Sequence, residues 1–131
     1  MAKILIVDDD PDIVLATRLS LERAGHQLTA ASNGTEGLEK IKAERPDVII
    51  LDVMMDTATE GFHLALELRS RDPASPLAAY RDIPILMLTA IHSTTPLRFG
   101  PEEDYLPVDD FVDKPIDPDL LMKKVEALLQ R

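Results

Sequence analysis

With 131 residues, 45% of them hydrophobic, the chain has the size of one domain built on one core. Its 24 acidic and 14 basic side chains leave a net charge of −10, which argues against direct nucleic-acid binding and against an anionic membrane surface, since both need a basic face. No cysteine is present, so no disulfide framework is possible, and no apolar stretch approaches the ~20 residues needed to span a bilayer. Met1-Ala2-Lys3 leads at once into a strand pattern, without a signal-peptide core. A cytoplasmic location, a reducing compartment and no membrane contact are the resulting expectations.

Strand and helix patterns alternate along the chain, which points to βα units and a mostly parallel sheet. Lys3 to Val7 reads as the first strand. Asp10 then offers a helix N-cap, Pro11 a first helical position and Asp12 an acid suited to the helix dipole. Ile13, Val14, Thr17, Leu21 and Ala24 recur at helical spacing until Gly25 stops the helix. Gln27 to Ala31 is a weaker strand, placed near a sheet edge, and Asn33-Gly34 is a turn signal. Thr35 to Glu44 reads as a helix with Leu38 and Ile41 inward, and Pro46 breaks the chain before a strand at Val48 to Leu51.

Gly61 to Ser70 carries a third helical pattern, followed by a polar connection over residues 71–82. Ile85 to Leu88 is a buried strand ending at Thr89, and Phe111-Val112 is a short fifth strand. Asp117 caps and Pro118 opens a last helix with Leu121, Val125, Leu128 and Leu129 as its apolar stripe. Between Ile91 and Asp110 a helix is expected from the alternation, yet Pro96, Pro101 and Pro107 fall within it. Prolines at this spacing leave room for at most about two turns of helix. Residues 92–109 are therefore expected to be the least regular part of the fold, with a short turn opening at Pro101.

Two acidic strand ends carry the chemistry. Ile4-Leu5-Ile6-Val7 runs into Asp8-Asp9, and Val48-Ile49-Ile50-Leu51 runs into Asp52. A short apolar run closed by carboxylates reads as a buried parallel strand with charge at its carboxyl tip. In open α/β sheets that end is where ligands bind, at the point where the strand order reverses. Carboxylates gathered there repel one another and call for a divalent cation or a proton. Asp10 fits a helix cap. His26, His63 and His92 have no metal-ligand spacing and are read as surface or incidental, and Met54-Met55 as packing.

These motifs, with Leu86-Met87-Leu88-Thr89-Ala90 after the fourth strand and Asp113-Lys114-Pro115 after the fifth, resemble the receiver domain of two-component response regulators. The resemblance covers nearly the whole chain. It implies a flavodoxin-like, doubly wound five-stranded parallel sheet in the order 2-1-3-4-5, here with a disrupted or shortened fourth helix. It implies a signalling switch with limited self-phosphorylation and self-dephosphorylation chemistry, not an enzyme. Asp52 would accept a phosphoryl group from a histidine kinase or a phosphotransfer protein. Asp8, Asp9, Asp52 and the backbone carbonyl of Met54 would bind Mg²⁺ or Mn²⁺. Thr89 and Lys114 would contact the phosphoryl group, the Lys114-Pro115 peptide would be cis, and Phe111 would be an aromatic switch. Residues 1–131 would form a single receiver, similar to the stand-alone chemotaxis regulators, with no output domain and its effect passed through a downstream protein.

The physics of these residue types agrees. Mg²⁺ prefers octahedral oxygen ligands and keeps several waters, so a few carboxylates plus a phosphate suit it. Phosphoryl transfer mainly needs positioning and charge neutralisation, which a cation and an ammonium supply. The chain departs from the family after Asp52, where Asp56 stands in a usual proline position and Gly61 comes one residue late. An aspartate-nucleophile phosphatase is the competing enzyme class, but it typically carries a second Asp where this chain has Met54. A phosphorylation-independent interaction module is the other alternative, against which the intact Asp8, Asp9, Asp52, Thr89 and Lys114 argue. A nucleotide- or flavin-binding domain lacks its Gly-rich loop after the first strand.

One kinetic expectation follows from the residues near the acceptor. Hydrolysis of a phosphoryl-aspartate needs a water held in line with the Asp52–phosphorus bond. Met54 and Ile91 match the positions that flank that approach in the family, and neither side chain orients a water. The phosphorylated form is expected to persist for many minutes or more. Timed quenching followed by intact mass spectrometry checks this, and loss of the adduct within seconds without a phosphatase contradicts it.

Overall fold

Five apolar runs pair side by side into one parallel sheet, in the order β2-β1-β3-β4-β5. The strands are β1 (Lys3–Val7), β2 (Gln27–Ala31), β3 (Val48–Asp52), β4 (Ile85–Thr89) and β5 (Asp110–Asp113). The helices are α1 (Pro11–Arg23), α2 (Gly34–Glu44) and α3 (Pro118–Leu129), with a 3₁₀ turn at Ala78–Tyr80. The computed structural model describes residues 2–52, 78–80, 82–89, 109–113 and 117–130. The helical pattern of Gly61 to Ser70 and the proline-rich stretch of residues 92–108, with the expected disruption of the fourth helix, lie outside the described residues.

The sheet is sandwiched, which explains its unbroken apolar strands. On one face, Ile4, Ile6, Val48, Ile50, Leu86, Leu88 and Val112 form a single cluster with Leu21 of α1 and Leu121, Val125 and Leu128 of α3. The alternate residues Leu5, Val7, Ile49, Leu51, Ile85 and Met87 point to the other face and are equally buried. There α2 lies over Leu5 and Thr29, with Ile41 fully buried and Glu44 accepting a hydrogen bond from Thr29 Oγ1 at 2.9 Å. β2 is an edge strand, as its mixed composition predicts.

Helix ends follow local chemistry. Asp10 accepts a hydrogen bond from Asp12 N–H at 2.9 Å, with Pro11 in the first turn of α1. Asp117-Pro118-Asp119 repeats the same device on α3, with Asp117 accepting from Asp119 N–H at 3.0 Å. At the other end of α1, Gly25 takes φ +92°, His26 N–H bonds Leu21 C=O and Gly25 N–H bonds Glu22 C=O. That pair of bonds is a Schellman motif, and a positive φ at its centre is why glycine stands there.

Several boundaries move by one residue from those expected. β3 and β4 each run one residue further, taking in Asp52 and Thr89, because Asp52 pairs with Leu88 and Thr89 with Asp113. β5 gains Asp110 and Asp113 through the same pairing with β4. Asn33 is the N-cap of α2, accepting from Glu36 N–H at 2.8 Å, so the helix starts at Gly34 rather than Thr35. Ala24 is the exposed C-cap of α1 and not part of its inward stripe.

His26 is not a surface residue. Its side chain is largely buried, Nδ1 accepts from Ala2 N–H at 3.2 Å, and Nε2 faces a Glu126 carboxylate oxygen at 3.9 Å. The main-chain bond from Gln27 N–H to Ala2 C=O pulls it into this position, an arrangement that carries no local sequence signal.

The buried face sets a stability contrast. Ile50→Ala removes a fully buried side chain from the central strand and is expected to cost about 2–5 kcal/mol in urea unfolding. Leu19→Ala, at a position 63% exposed, is expected to stay within about 0.5 kcal/mol of the parent.

Candidate metal centre

The register between β1 and β3 creates the site. Val7 pairs with Leu51, so Asp8 and Asp52 leave adjacent strands at the same level. Each stands two residues after an inward side chain of the same face, Ile6 and Ile50, so both carboxylates emerge on one side of the sheet. The order reverses between β1 and β3, since β2 lies on one flank of β1 and β3 on the other. The acidic tips therefore stand at the topological switch point, at the carboxyl end of the strands.

Asp8 is 2% exposed and Asp52 1%, whereas Asp9 is half-buried. Carboxylate oxygens of Asp8, Asp9 and Asp52 all lie within 4.8 Å of one another. Asp8 is held from both sides: its N–H donates to Ala31 C=O at 2.9 Å, and its Oδ1 accepts from Asp10 N–H at 2.9 Å. Burying carboxylates together is costly unless hydrogen bonds or a cation compensate them. Oxygens at this spacing suit a single hard cation, whose ligand sphere of roughly 2.1 Å radius spans about 4.2 Å between opposite oxygens. The chemistry of the donor set, three carboxylates without nitrogen or sulfur, favours Mg²⁺ or Mn²⁺ over softer metals.

A groove of about 360 Å³ adjoins the cluster. Pro11, Val14, Leu15 and Arg18 of α1 form one wall, and Ser32 and Glu36 lie on the other. Glu36 accepts hydrogen bonds from Ser32 N–H at 2.6 Å and Ser32 Oγ at 3.1 Å. The backbone bond from Ser32, then its hydroxyl, hold the Glu36 carboxyl below its ordinary value of 4.5. The Asn33-x-x-Glu36 spacing is that of a capping box, and the Glu36 carboxylate reaches the amide of Ser32, one residue before the cap, a contact the sequence reading leaves out.

Of the residues implicated by sequence, the structure brings together Asp8, Asp9 and Asp52. Thr89 ends β4 one position beyond Leu88, the partner of Asp52, so its backbone reaches the same end of the sheet. Phe111 pairs with Met87 within β5 and β4. The side chains of Thr89 and Phe111, and all of Met54, Lys114 and the Lys114-Pro115 peptide, lie outside the described residues. Among the described residues, no helix is long and apolar enough to cross a membrane.

The chain matches the response regulator receiver domain family over residues 4–126. It is 34% identical over 131 residues to the transcriptional regulatory protein AfsQ1 of Streptomyces coelicolor, covering all of this chain and 52% of that protein. It is 32% identical over 129 residues to the protein PilH of Pseudomonas aeruginosa, covering 98% of both chains. The chain thus spans about half the length of the transcriptional regulators it matches and nearly the full length of PilH. Among solved structures, the chemotaxis response regulator CheY4 of Vibrio cholerae superposes with a TM-score of 0.77 at 31% identity, covering 98% of each chain. The receiver domain of the Francisella response regulator 1452 gives 0.80 at 30% identity, covering 100% of this chain and 98% of that one.

Glu36 gives a pH test of the groove wall. Its folded-state pKa is lowered, so the stability it contributes is present above the unfolded value of 4.5 and is lost as pH falls through the folded value. The urea midpoint of Glu36→Gln is expected to lie below that of the parent at neutral pH. The gap should narrow once the pH drops below that range. A gap that stays constant down to acid pH contradicts the assignment.

Proposed function

Since the chain belongs to the response regulator receiver domain family, we propose that it is a phosphorylation-dependent switch of two-component signalling whose acceptor is Asp52. The observation that carries this reading is the convergence of Asp8, Asp9 and Asp52 within 4.8 Å at the switch point of the sheet. A strand-end carboxylate that is 1% exposed at the base of an acidic cluster is held as a rigid nucleophile rather than a solvated surface acid.

In the proposed reaction an Asp52 carboxylate oxygen attacks the phosphorus of a phosphohistidine on a histidine kinase or phosphotransfer protein. The new O–P bond forms as the P–N bond breaks, and the imidazole departs with the electron pair and takes up a proton. Asp8, Asp9 and Asp52 would hold Mg²⁺, with Met54 C=O as a further ligand implied by the family, and the ion would neutralise charge on the phosphoryl oxygens. Lys114 supplies a compact positive charge to the transferred group and Thr89 a hydroxyl donor. Phe111, on β5 beside β4, is the aromatic switch residue of this reading. The signal then passes to a protein partner.

The test is a small acyl phosphate with and without Mg²⁺, read by intact mass. The parent chain is expected to gain one phosphoryl group, only when the divalent ion is present. Asp52→Asn is expected to gain none, and an undiminished adduct on that variant overturns the assignment of the acceptor. Asp9→Ala is expected to weaken Mg²⁺ binding about ten-fold or more, as seen when groups that build metal sites are removed. Calorimetric titration reads that loss directly.

A further inference from the structure

Asp10 stands apart from the three clustered carboxylates, yet it is tied to them. Its N–H donates to Asp8 Oδ1 at 2.9 Å. Its side chain accepts from Asp12 N–H at 2.9 Å, and its C=O accepts from Val14 N–H at 3.1 Å. The residue sits in extended conformation, φ −91° and ψ 110°, immediately before Pro11. One residue thus grips the buried carboxylate through its N–H and the first turn of α1 through its side chain and C=O. Asp9 lies between these anchors, in a loop also supported by the Asp8 N–H bond to Ala31 C=O.

We propose that Asp10 is a positioning residue for the acidic cluster, acting through its helix-capping side chain and not through its charge. The inference rests on the reading of Asp8, Asp9 and Asp52 as a Mg²⁺ site. The Asp10 carboxylate is exposed, is not one of the three whose oxygens gather within 4.8 Å, and turns its Oδ1 to the helix amide. Loss of the cap frees the first turn of α1, and with it the peptide that orients Asp8. Groups that orient metal ligands from behind set affinity almost as strongly as the ligands themselves.

The experiment is Mg²⁺ titration of the full chain by calorimetry, on Asp10→Ala, Asp10→Asn and Asp10→Ser. Asn and Ser cap as well as Asp, whereas Ala does not. Asp10→Ala is expected to weaken Mg²⁺ binding several-fold, short of the loss in Asp9→Ala, while Asp10→Asn and Asp10→Ser stay within about two-fold of the parent. Asn33→Ala removes the equivalent cap from α2 and controls for lost stability alone, so it is expected to leave Mg²⁺ affinity unchanged. Should Asp10→Ala fail to fold, Asp10→Val, which lacks the acceptor yet favours the extended backbone of this position, takes its place with the same expectation. Parent-like affinity in the uncapped variant overturns the proposal. So does a loss in Asp10→Asn equal to that in Asp10→Ala, which would mean that charge is what matters, or an equal loss in Asn33→Ala. A parent chain that takes up no Mg²⁺ overturns the metal site itself and this inference with it.

Discussion

Two carboxylates lie almost wholly out of water at the in-register tips of neighbouring central strands, and the rest of the structure is arranged to make that tolerable. Asp8 and Asp52 sit level because Val7 pairs with Leu51. A register slip of one residue would send the side chains of one strand to the opposite face and separate the pair. The register is protected because both faces of the sheet are buried, so a slip would exchange residues between two packed layers. The clustered charges are a local cost maintained by a large apolar consensus elsewhere.

Polar anchoring divides between the two ends of the sheet. At the amino ends, an acid standing just before one strand serves the strand beside it. Asp47 precedes β3 and accepts from Lys3 N–H of β1 at 2.9 Å, while its own N–H donates to Lys3 C=O at 2.7 Å. Asp109 precedes β5 and repeats this with Ile85 of β4, at 2.8 and 2.9 Å. Lys124 of α3 adds a half-buried ion pair to Asp110 at 2.8 Å. Arg45 closes α2 in the left-handed region, with its guanidinium 5.5 Å from the centre of the Tyr80 ring. These bonds satisfy the first amides of the strands and hold that end rigid, which leaves the carboxyl ends for chemistry.

The carboxyl end is built differently. There the backbone polar groups are used to aim side chains. Asp8 receives a bond from Asp10 N–H, and the same residue begins α1. A helix that packs against the sheet through Thr17 and Leu21 thus fixes the entry of the acidic loop. Thr17 reaches the core with its hydroxyl lacking a hydrogen-bond partner among the described residues, a local cost of directing this helix face inward.

Much of this was legible in the residues. Apolar runs ending in Asp8 and Asp52 specify buried parallel strands because only a strand covered on both faces is apolar at every position. Asp10-Pro11 and Asp117-Pro118 announce helix starts because capping is decided within a few residues. Tertiary structure alone decided the strand register, the convergence of the three carboxylates within 4.8 Å, the burial of His26 and the reciprocal bonds of Asp47 and Asp109. Those depend on contacts between segments tens of residues apart, such as Lys3 with Asp47, for which local composition carries no signal. The sequence names the residues that hold the chemistry, because their types are set by what a site must do. Only the folded sheet sets their distances, because those come from packing and hydrogen bonding summed across strands.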